Sequence, residues 1–329
     1  MIAPNHMRVG AIDIGSNSIR MLVADVPEGD PGGEVVRVVA RAGEACRMAR
    51  GLQRSGRIDA EIADRAGAIT RAFADRARAL GAVHIVCGAT AALRNAANGA
   101  EVAHVIERHG ALPVRILSGD DEARLVYRSV VLGLGGGARR SSCVVFDIGG
   151  GSTEVVSGMG ERPGRWVSLP FGAISLTERF LAANPPSQAE ADELKLAVRA
   201  EIMHSCAYMP ARTPLLAGVG GTVSLLAALD LGLTEYEPSL LEGLAITPPR
   251  LENVILRILS SSHEERRSWP VMGEGRADIV VAGALAVGLL AERFPAPALV
   301  CSTQGLRYGL VRLAAEEARG GGPGCVPGS

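Results

Sequence analysis

The sequence predicts a two-domain chain of mixed strands and helices, each domain built around one glycine turn. Three observations carry that reading. The first is a repeated local pattern: Val145–Glu154 reads V-F-D-I-G-G-G-S-T-E and Val9–Ser18 reads V-G-A-I-D-I-G-S-N-S. In both, an apolar strand ends in an acid and then in glycine with small hydroxyl or amide side chains. Glycine lets backbone N–H groups approach an oxyanion closely, so both stretches read as phosphate loops with Asp13 and Asp147 in equivalent positions. The second observation is that another apolar strand follows each copy, Ile19–Val26 and Thr153–Ser157. Each motif is therefore a β-hairpin whose turn faces a ligand, whereas a Walker-type loop leads into a helix. The third is a linker, Gly133–Arg140 (G-L-G-G-G-A-R-R), placed between the copies in a chain of 329 residues. At roughly 100–200 residues per domain, that length suits two.

In chain order, Met1–Arg8 reads as a loose terminus. Strands at Val9, Ile19–Val26 and Glu34–Arg41, the last two separated by the turn-rich Pro27–Gly33, form an antiparallel set. Ile58–Leu80 places Ile58, Ile62, Ala66, Ile69, Phe73 and Ala77 at a helical period, and Gly81 supplies a C-cap. Val83–Cys87 is a short buried strand, and Gly88–Asn95 opens a small-residue helix carrying Arg94. By count alone, Arg94 is one surface arginine among many. Val102–His109 is a helix, Val114–Leu117 a strand, and Ser118-Gly119-Asp120-Asp121-Glu122 starts the helix Ala123–Leu132. Ser118 with Asp121 matches a capping box, so these acids suit a helix start as well as they suit chemistry.

Beyond the second turn, Trp166–Phe171 is a strand and Gly172–Leu181 a helix broken by Asn184–Ser187. The helix Gln188–Met203 and the buried strand Leu215–Val219 follow. That strand runs into Gly220-Gly221-Thr222 and the helix Val223–Leu229, whose N-terminus can contact an anion or a ribose, or can simply punctuate the chain. Pro248–Ser260 and Asp278–Phe294 are helices, Ala298–Ser302 a strand and Gly305–Ala318 a closing helix. The glycine- and proline-rich Gly320–Ser329 is expected to be disordered.

Composition removes several function classes. A formal net charge of −1 and 3% aromatic residues leave neither a basic field nor stacking rings for nucleic acid. The longest apolar run, Ile279–Ala291, is too short to span a bilayer, and no signal-like segment opens the chain, so a cytoplasmic protein with no membrane partner is expected. Cys46, Cys87, Cys143, Cys206, Cys301 and Cys325 show no C-x-x-C pairing and read as reduced, buried thiols. Lys195 is the sole lysine. That excludes a G-K-[ST] loop and leaves arginine, backbone N–H groups, hydroxyls or a metal to hold phosphate. The histidines lie in unrelated segments without zinc spacing, and no G-x-S-x-G elbow offers a serine nucleophile.

Taken together, Asp13–Ser18, Ala89-Thr90 with Arg94, Ser118-Gly119 with Glu122-Ala123, Asp147–Glu154 and Gly218–Thr222 resemble the exopolyphosphatase/guanosine pentaphosphate phosphohydrolase (Ppx/GppA) family. Order and spacing agree over most of Val9–Leu310. The resemblance implies the actin-like ATPase and sugar-kinase superfamily: an α/β fold of two actin-like (ribonuclease H-like) domains. Each would be a mixed five-stranded sheet with helices, about residues 7–133 and 141–304, around an interdomain phosphate cleft. The closing helix 305–318 would pack back on the first domain.

By resemblance, Glu122 corresponds to the glutamate that orients or deprotonates the attacking water, Asp147 and Glu154 to acids near the metal and water, and Arg94 to a phosphate-binding arginine. Asp13, Gly15, Ser16, Asn17 and Ser18, with Gly149, Gly150, Gly151, Ser152 and Thr153, would hold successive phosphates, and Gly220, Gly221 and Thr222 add a third contact. The implied cofactor is Mg²⁺ or Mn²⁺, and the implied partners are inorganic polyphosphate or guanosine pentaphosphate, with a homodimer open to it. Asp121 and Tyr308 depart from the family, which often has glutamate at both positions. Three activities stay open: a phosphohydrolase, preferentially on short polyphosphates; an ATP-dependent kinase; and a non-catalytic phosphate sensor.

Overall fold

A computed structural model describes residues 6–28, 36–273 and 275–320. Part of the turn-rich segment, residues 29–35, and the tail, residues 321–329, lie outside the described residues. Among the described residues the strands are β1 (His6–Ile14), β2 (Ser18–Pro27), β3 (Arg37–Ala45), β4 (His84–Ala89), β5 (Val114–Ile116), β6 (Ser142–Ile148), β7 (Thr153–Met159), β8 (Arg162–Leu169), β9 (Leu215–Val219), β10 (Ala245–Ile246) and β11 (Leu299–Cys301). The chain divides into two units, 1–125 with 306–329, and 126–305.

The first unit holds one sheet in the order β3-β2-β1-β4-β5. β1, β2 and β3 are antiparallel neighbours, and β1, β4 and β5 are parallel ones. Val9, Ala11, Ile12, Ile14, Ile19 and Met21–Ala24 are all buried, because a central strand covered on both faces must be largely apolar on both. One face receives the helix Ala60–Ala79, whose buried Ala63, Ala66, Ile69, Phe73 and Ala77 follow the helical period. The helix Gly99–Gly110 joins it through Val102 and Ile106. The closing helix Leu306–Ala318 packs on β1, β2 and β4. It is fastened by Glu317, which accepts from Arg115 Nη2 at 3.0 Å and bonds His84 Nε2 at 2.9 Å.

The second sheet has the order β10-β11-β9-β6-β7-β8. Read from β8 to β11 it repeats the first sheet's connectivity, so the two halves share one plan. It has six strands where five were expected, because β10 adds a two-residue antiparallel edge to β11. Its core gathers the helices Gln188–Ser205, Gly221–Leu231, Pro248–Ser260 and Val280–Arg293. The last of these is the long apolar run, and residues 280–287 are buried throughout. Among the described residues no helix is long and apolar enough to cross a membrane.

The boundaries differ from expectation in three places. β1 begins at His6 where a loose terminus was expected, because His6 and Met7 pair with Pro27 and Val26. The units divide within the helix Gly119–Leu134, ahead of the glycine linker. The reason is that Val126, Tyr127, Val130 and Val131 are buried, with the Tyr127 hydroxyl donating to the Gly160 carbonyl at 2.9 Å. The third is an unforeseen short helix, His263–Ser268, that carries the fully buried Arg266. Its guanidinium donates to the Ile258 carbonyl at 3.0 Å, the Ser261 carbonyl and Asn184 Oδ1, spending a buried charge on loop closure.

The helix Gln188–Ser205 starts with a complete capping box: Glu190 accepts from the Ser187 N–H at 2.7 Å and also from the Ala183 and Ala182 N–H groups. The Ser187 bond first, then the others, hold its carboxyl down at about 2 from an ordinary 4.5. A depressed carboxylate stabilises the fold above its unfolded value and loses that contribution as pH falls toward its folded value. Glu190→Gln should therefore melt below wild type at pH 7, and the gap in Tm should narrow as pH falls from 4.5 toward 2. A gap unchanged with pH in thermal unfolding would show that the charge is immaterial to the cap.

Candidate active site

In the first unit the three parallel strands β1, β4 and β5 end side by side, where open α/β sheets bind their ligands. After β1 comes the turn Gly15–Ser18, closed by the Ile14–Ile19 pair and by the Gly15 N–H donating to the Ser18 carbonyl at 3.1 Å. A β-carbon at Gly15 would stand 3.1 Å from that same oxygen, which makes glycine the fitting residue. The turn is braced from behind. The Ser16 carbonyl accepts from the Ala49 N–H at 3.0 Å, and the Asn17 carbonyl from those of Cys46 at 2.9 Å and Arg47 at 2.8 Å.

β4 leads through Thr90, whose N–H donates to the Ile14 carbonyl at 3.2 Å, into the short helix that carries Arg94. Arg94 Nη1 donates to the Leu117 carbonyl at 3.0 Å and to Glu122 Oε2 at 2.8 Å. Glu122 is only 7% exposed. Arg94 is thus tied to the end of β5, with Glu122 as its partner. The capping reading also holds, but for the neighbouring acid. The Asp121 N–H donates to Ser118 Oγ at 3.1 Å, and that hydroxyl donates to Asp121 Oδ2 at 2.7 Å. Asp120 pairs with Arg124 at 2.9 Å. Asp13 faces Arg20 across the hairpin. Burial raises its carboxyl above the ordinary value, and Arg20 and Arg307 oppose that shift.

The second unit repeats this geometry after β6. Ile148 pairs with Thr153, and the Gly149 N–H donates to the Ser152 carbonyl at 3.0 Å. The brace here is the N-terminus of the helix Ala173–Phe180. The Ala173 N–H donates to the Gly149 carbonyl at 2.9 Å, and those of Ile174 and Ser175 donate to the Gly150 carbonyl at 2.9 and 3.1 Å. Gly172 permits the approach, since a β-carbon there would lie 2.5 Å from the Gly150 carbonyl carbon. Neither brace was foreseen, because each joins segments more than twenty residues apart in sequence.

One expectation is narrowed by the geometry. Thr153 is fully buried and its hydroxyl donates to the Phe171 carbonyl at 2.8 Å, so that hydroxyl serves the hairpin. The third glycine turn does converge on the second. Gly220 has φ 103°, and a β-carbon there would meet Asp147 Oδ1 at 2.8 Å. Thr222 lies against Gly283, and Arg276, which the sequence did not single out, donates to the Gly221 carbonyl at 3.3 Å.

The halves differ in charge at one register position. Where Asp13 faces Arg20, Asp147 faces Glu154, itself 2% exposed with Oε1 accepting from Ser168 Oγ at 2.8 Å. Directly opposed like charges are unfavourable on a strand pair, and a hard cation removes the repulsion. No group of three or more His, Cys, Asp or Glu side chains that could hold a metal ion occurs among the described residues. As a donor set, the Asp147–Glu154 carboxylates suit an ion such as Mg²⁺, which takes one or two carboxylates and completes its shell with phosphate oxygens and water.

Comparison with known proteins agrees with this geometry. The model of the Ppx/GppA phosphatase family matches residues 22–317. Exopolyphosphatase 2 of Mycobacterium tuberculosis is 33% identical over 295 residues, which cover 87% of this chain and 90% of that protein. A Ppx/GppA family member from Aquifex aeolicus superposes with a TM-score of 0.81 at 25% identity, over 95% of this chain and 99% of that one. A solved exopolyphosphatase-like protein superposes with a TM-score of 0.87 at 26% identity and the same two coverages. With its paired actin-like sheets, its two braced glycine turns and a family match over most of its length, the chain belongs to the Ppx/GppA phosphatase family, a family of phosphoanhydride hydrolases.

Proposed function

We propose that this chain is an exopolyphosphatase, which releases terminal orthophosphate from inorganic polyphosphate. The observation that carries the reading is the Arg94–Glu122 pair, anchored at the ends of β4 and β5 in the unit that holds the Gly15–Ser18 turn. In this reading Glu122 accepts a proton from water as the water oxygen attacks the terminal phosphorus. The bridging P–O bond breaks and its electrons stay on the shortened chain. Arg94, the turn N–H groups and the Ser16 and Ser18 hydroxyls bind and orient the phosphates, which is most of what phosphoryl transfer asks of a protein. Asp147 and Glu154 hold Mg²⁺ or Mn²⁺, which when bound neutralises charge on phosphate oxygens.

Guanosine pentaphosphate is the second substrate reading, on the family's scope. Polyphosphate is favoured because the Mycobacterium tuberculosis relative is named an exopolyphosphatase and because a chain with 3% aromatic residues offers few platforms for guanine. Short chains are the preferred polyphosphates. Each further phosphate needs its own donor, and those identified concentrate at the glycine turns and Arg94. A cytoplasmic setting suits Cys46, Cys87, Cys143, Cys206 and Cys301, which are free and buried.

Side-by-side orthophosphate release from tripolyphosphate, long polyphosphate and guanosine pentaphosphate tests the substrate. Tripolyphosphate should be turned over fastest, and processive loss of long polymer without intermediates would overturn the short-chain reading. Glu122→Gln should lower kcat by on the order of 10²–10⁴-fold, the usual value of a positioned base. Asp120→Asn, which alters only the half-exposed pair with Arg124, should stay near wild type. Wild-type turnover in Glu122→Gln would return that residue to a helix-start role. Exhaustive chelation should abolish release, and excess Mg²⁺ should partly restore Asp147→Ala. Full activity after chelation would remove the metal from the reaction.

A further inference from the structure

Among the described non-glycine residues, two have positive φ: Ala111 at 49° and Arg47 at 55°. Ala111 is the C-cap of the helix Gly99–Gly110, where a left-handed residue is an ordinary ending. Arg47 ends no helix. A side chain in this region is crowded by its own backbone, and glycine is the usual occupant. The same loop uses glycine at its next two left-handed positions, Gly51 at φ 73° and Gly56 at φ 67°. An arginine therefore stands where the backbone favours glycine.

The structure shows what holds it there. Its N–H donates to the Asn17 carbonyl at 2.8 Å, beside the bond from Cys46, so its backbone is part of the brace behind the Gly15–Ser18 turn. Cys46, Met48 and Ala49 are buried on either side, while Arg47 is exposed. Nearby arginines are engaged: Arg41 donates to the Tyr308 hydroxyl and Arg20 to Ser18 Oγ. Among the described residues the Arg47 guanidinium makes no hydrogen bond or ion pair. A bond from its own N–H fixes Arg47 Cα beside the turn, and the exposed side chain carries its guanidinium on a long stem. Strained residues of this kind persist where the surroundings over-determine them, and they concentrate at ligand sites.

We propose that Arg47 is a substrate-binding arginine, which grips the anionic phosphate chain held at the Gly15–Ser18 turn. This rests on the reading that the turn holds phosphate. It adds a planar, always charged donor fork that the sequence motifs do not mark.

Arg47→Gly tests it cleanly, since glycine keeps the N–H bond to Asn17 and relieves the backbone. It should raise KM for tripolyphosphate about tenfold, the loss of one charge-assisted contact, with kcat within about twofold and Tm at or above wild type. Arg50→Ala, an exposed neighbour, should change neither constant. Calorimetric titration of tripolyphosphate into Glu122→Gln, with and without Arg47→Gly, should show the same loss in Kd without turnover. Unchanged KM and Kd in Arg47→Gly would overturn the proposal, as would equal losses in Arg50→Ala, which would mean a diffuse field. If wild type releases no orthophosphate but Arg47→Gly still weakens tripolyphosphate binding, the exopolyphosphatase reading fails and Arg47 stands. If neither protein binds tripolyphosphate, both fail.

Discussion

The rest of the site depends on the carbonyl groups of its glycine turns being held from behind. A hairpin turn of four small residues has little side-chain packing to fix it, and glycine adds conformational freedom. In each half, the segment that follows the third strand donates three backbone N–H groups to the two carbonyls at or next to the turn's centre: Cys46, Arg47 and Ala49 in one half, Ala173, Ile174 and Ser175 in the other. Orienting the carbonyls orients the peptide planes. A turn so fixed can present its N–H groups to an anion without reorganising, the condition under which such donors are most effective.

One shared frame then carries two different charge pairs. The strand order, the turn length and the brace are common to both halves. The side chain opposite the aspartate is not. Arg20 stands opposite Asp13 in the first unit, and Glu154 stands opposite Asp147 in the second. A single substitution at a matched register position separates them, and the backbone need not change.

Much of this was legible because local pattern and burial agree. The repeated D-I-G with apolar flanks marks both hairpins, and β9 and the helix Pro248–Ser260 fall on the residues their apolar spacing and N-terminal proline indicate. What was not legible depends on partners distant in sequence. Thr153 looks like a donor hydroxyl until the Phe171 carbonyl claims it, and Arg276 reaches Gly221 across 55 residues. The units divide at 125/126, within the helix Gly119–Leu134, because that helix keeps an apolar face past Leu125, a feature that glycine content at 133–140 does not report. β10 is two residues long, and so short a strand has no periodicity to detect.

The start of that helix shows why structural and chemical readings of an acidic run need not compete. Asp120, Asp121 and Glu122 are consecutive, and successive residues on a helix point about 100° apart. Three adjacent carboxylates therefore cannot share a task. Asp121 takes Ser118 and closes the N-terminus, Asp120 takes Arg124 one turn on, and Glu122 is turned inward to Arg94. The cap serves the site indirectly. Fixing the helix start at Ser118, one residue past the carbonyl that Arg94 also holds at Leu117, fixes the azimuth at which Glu122 leaves the helix. A slip of one residue would swing the carboxylate away from the arginine and out of the buried position it occupies.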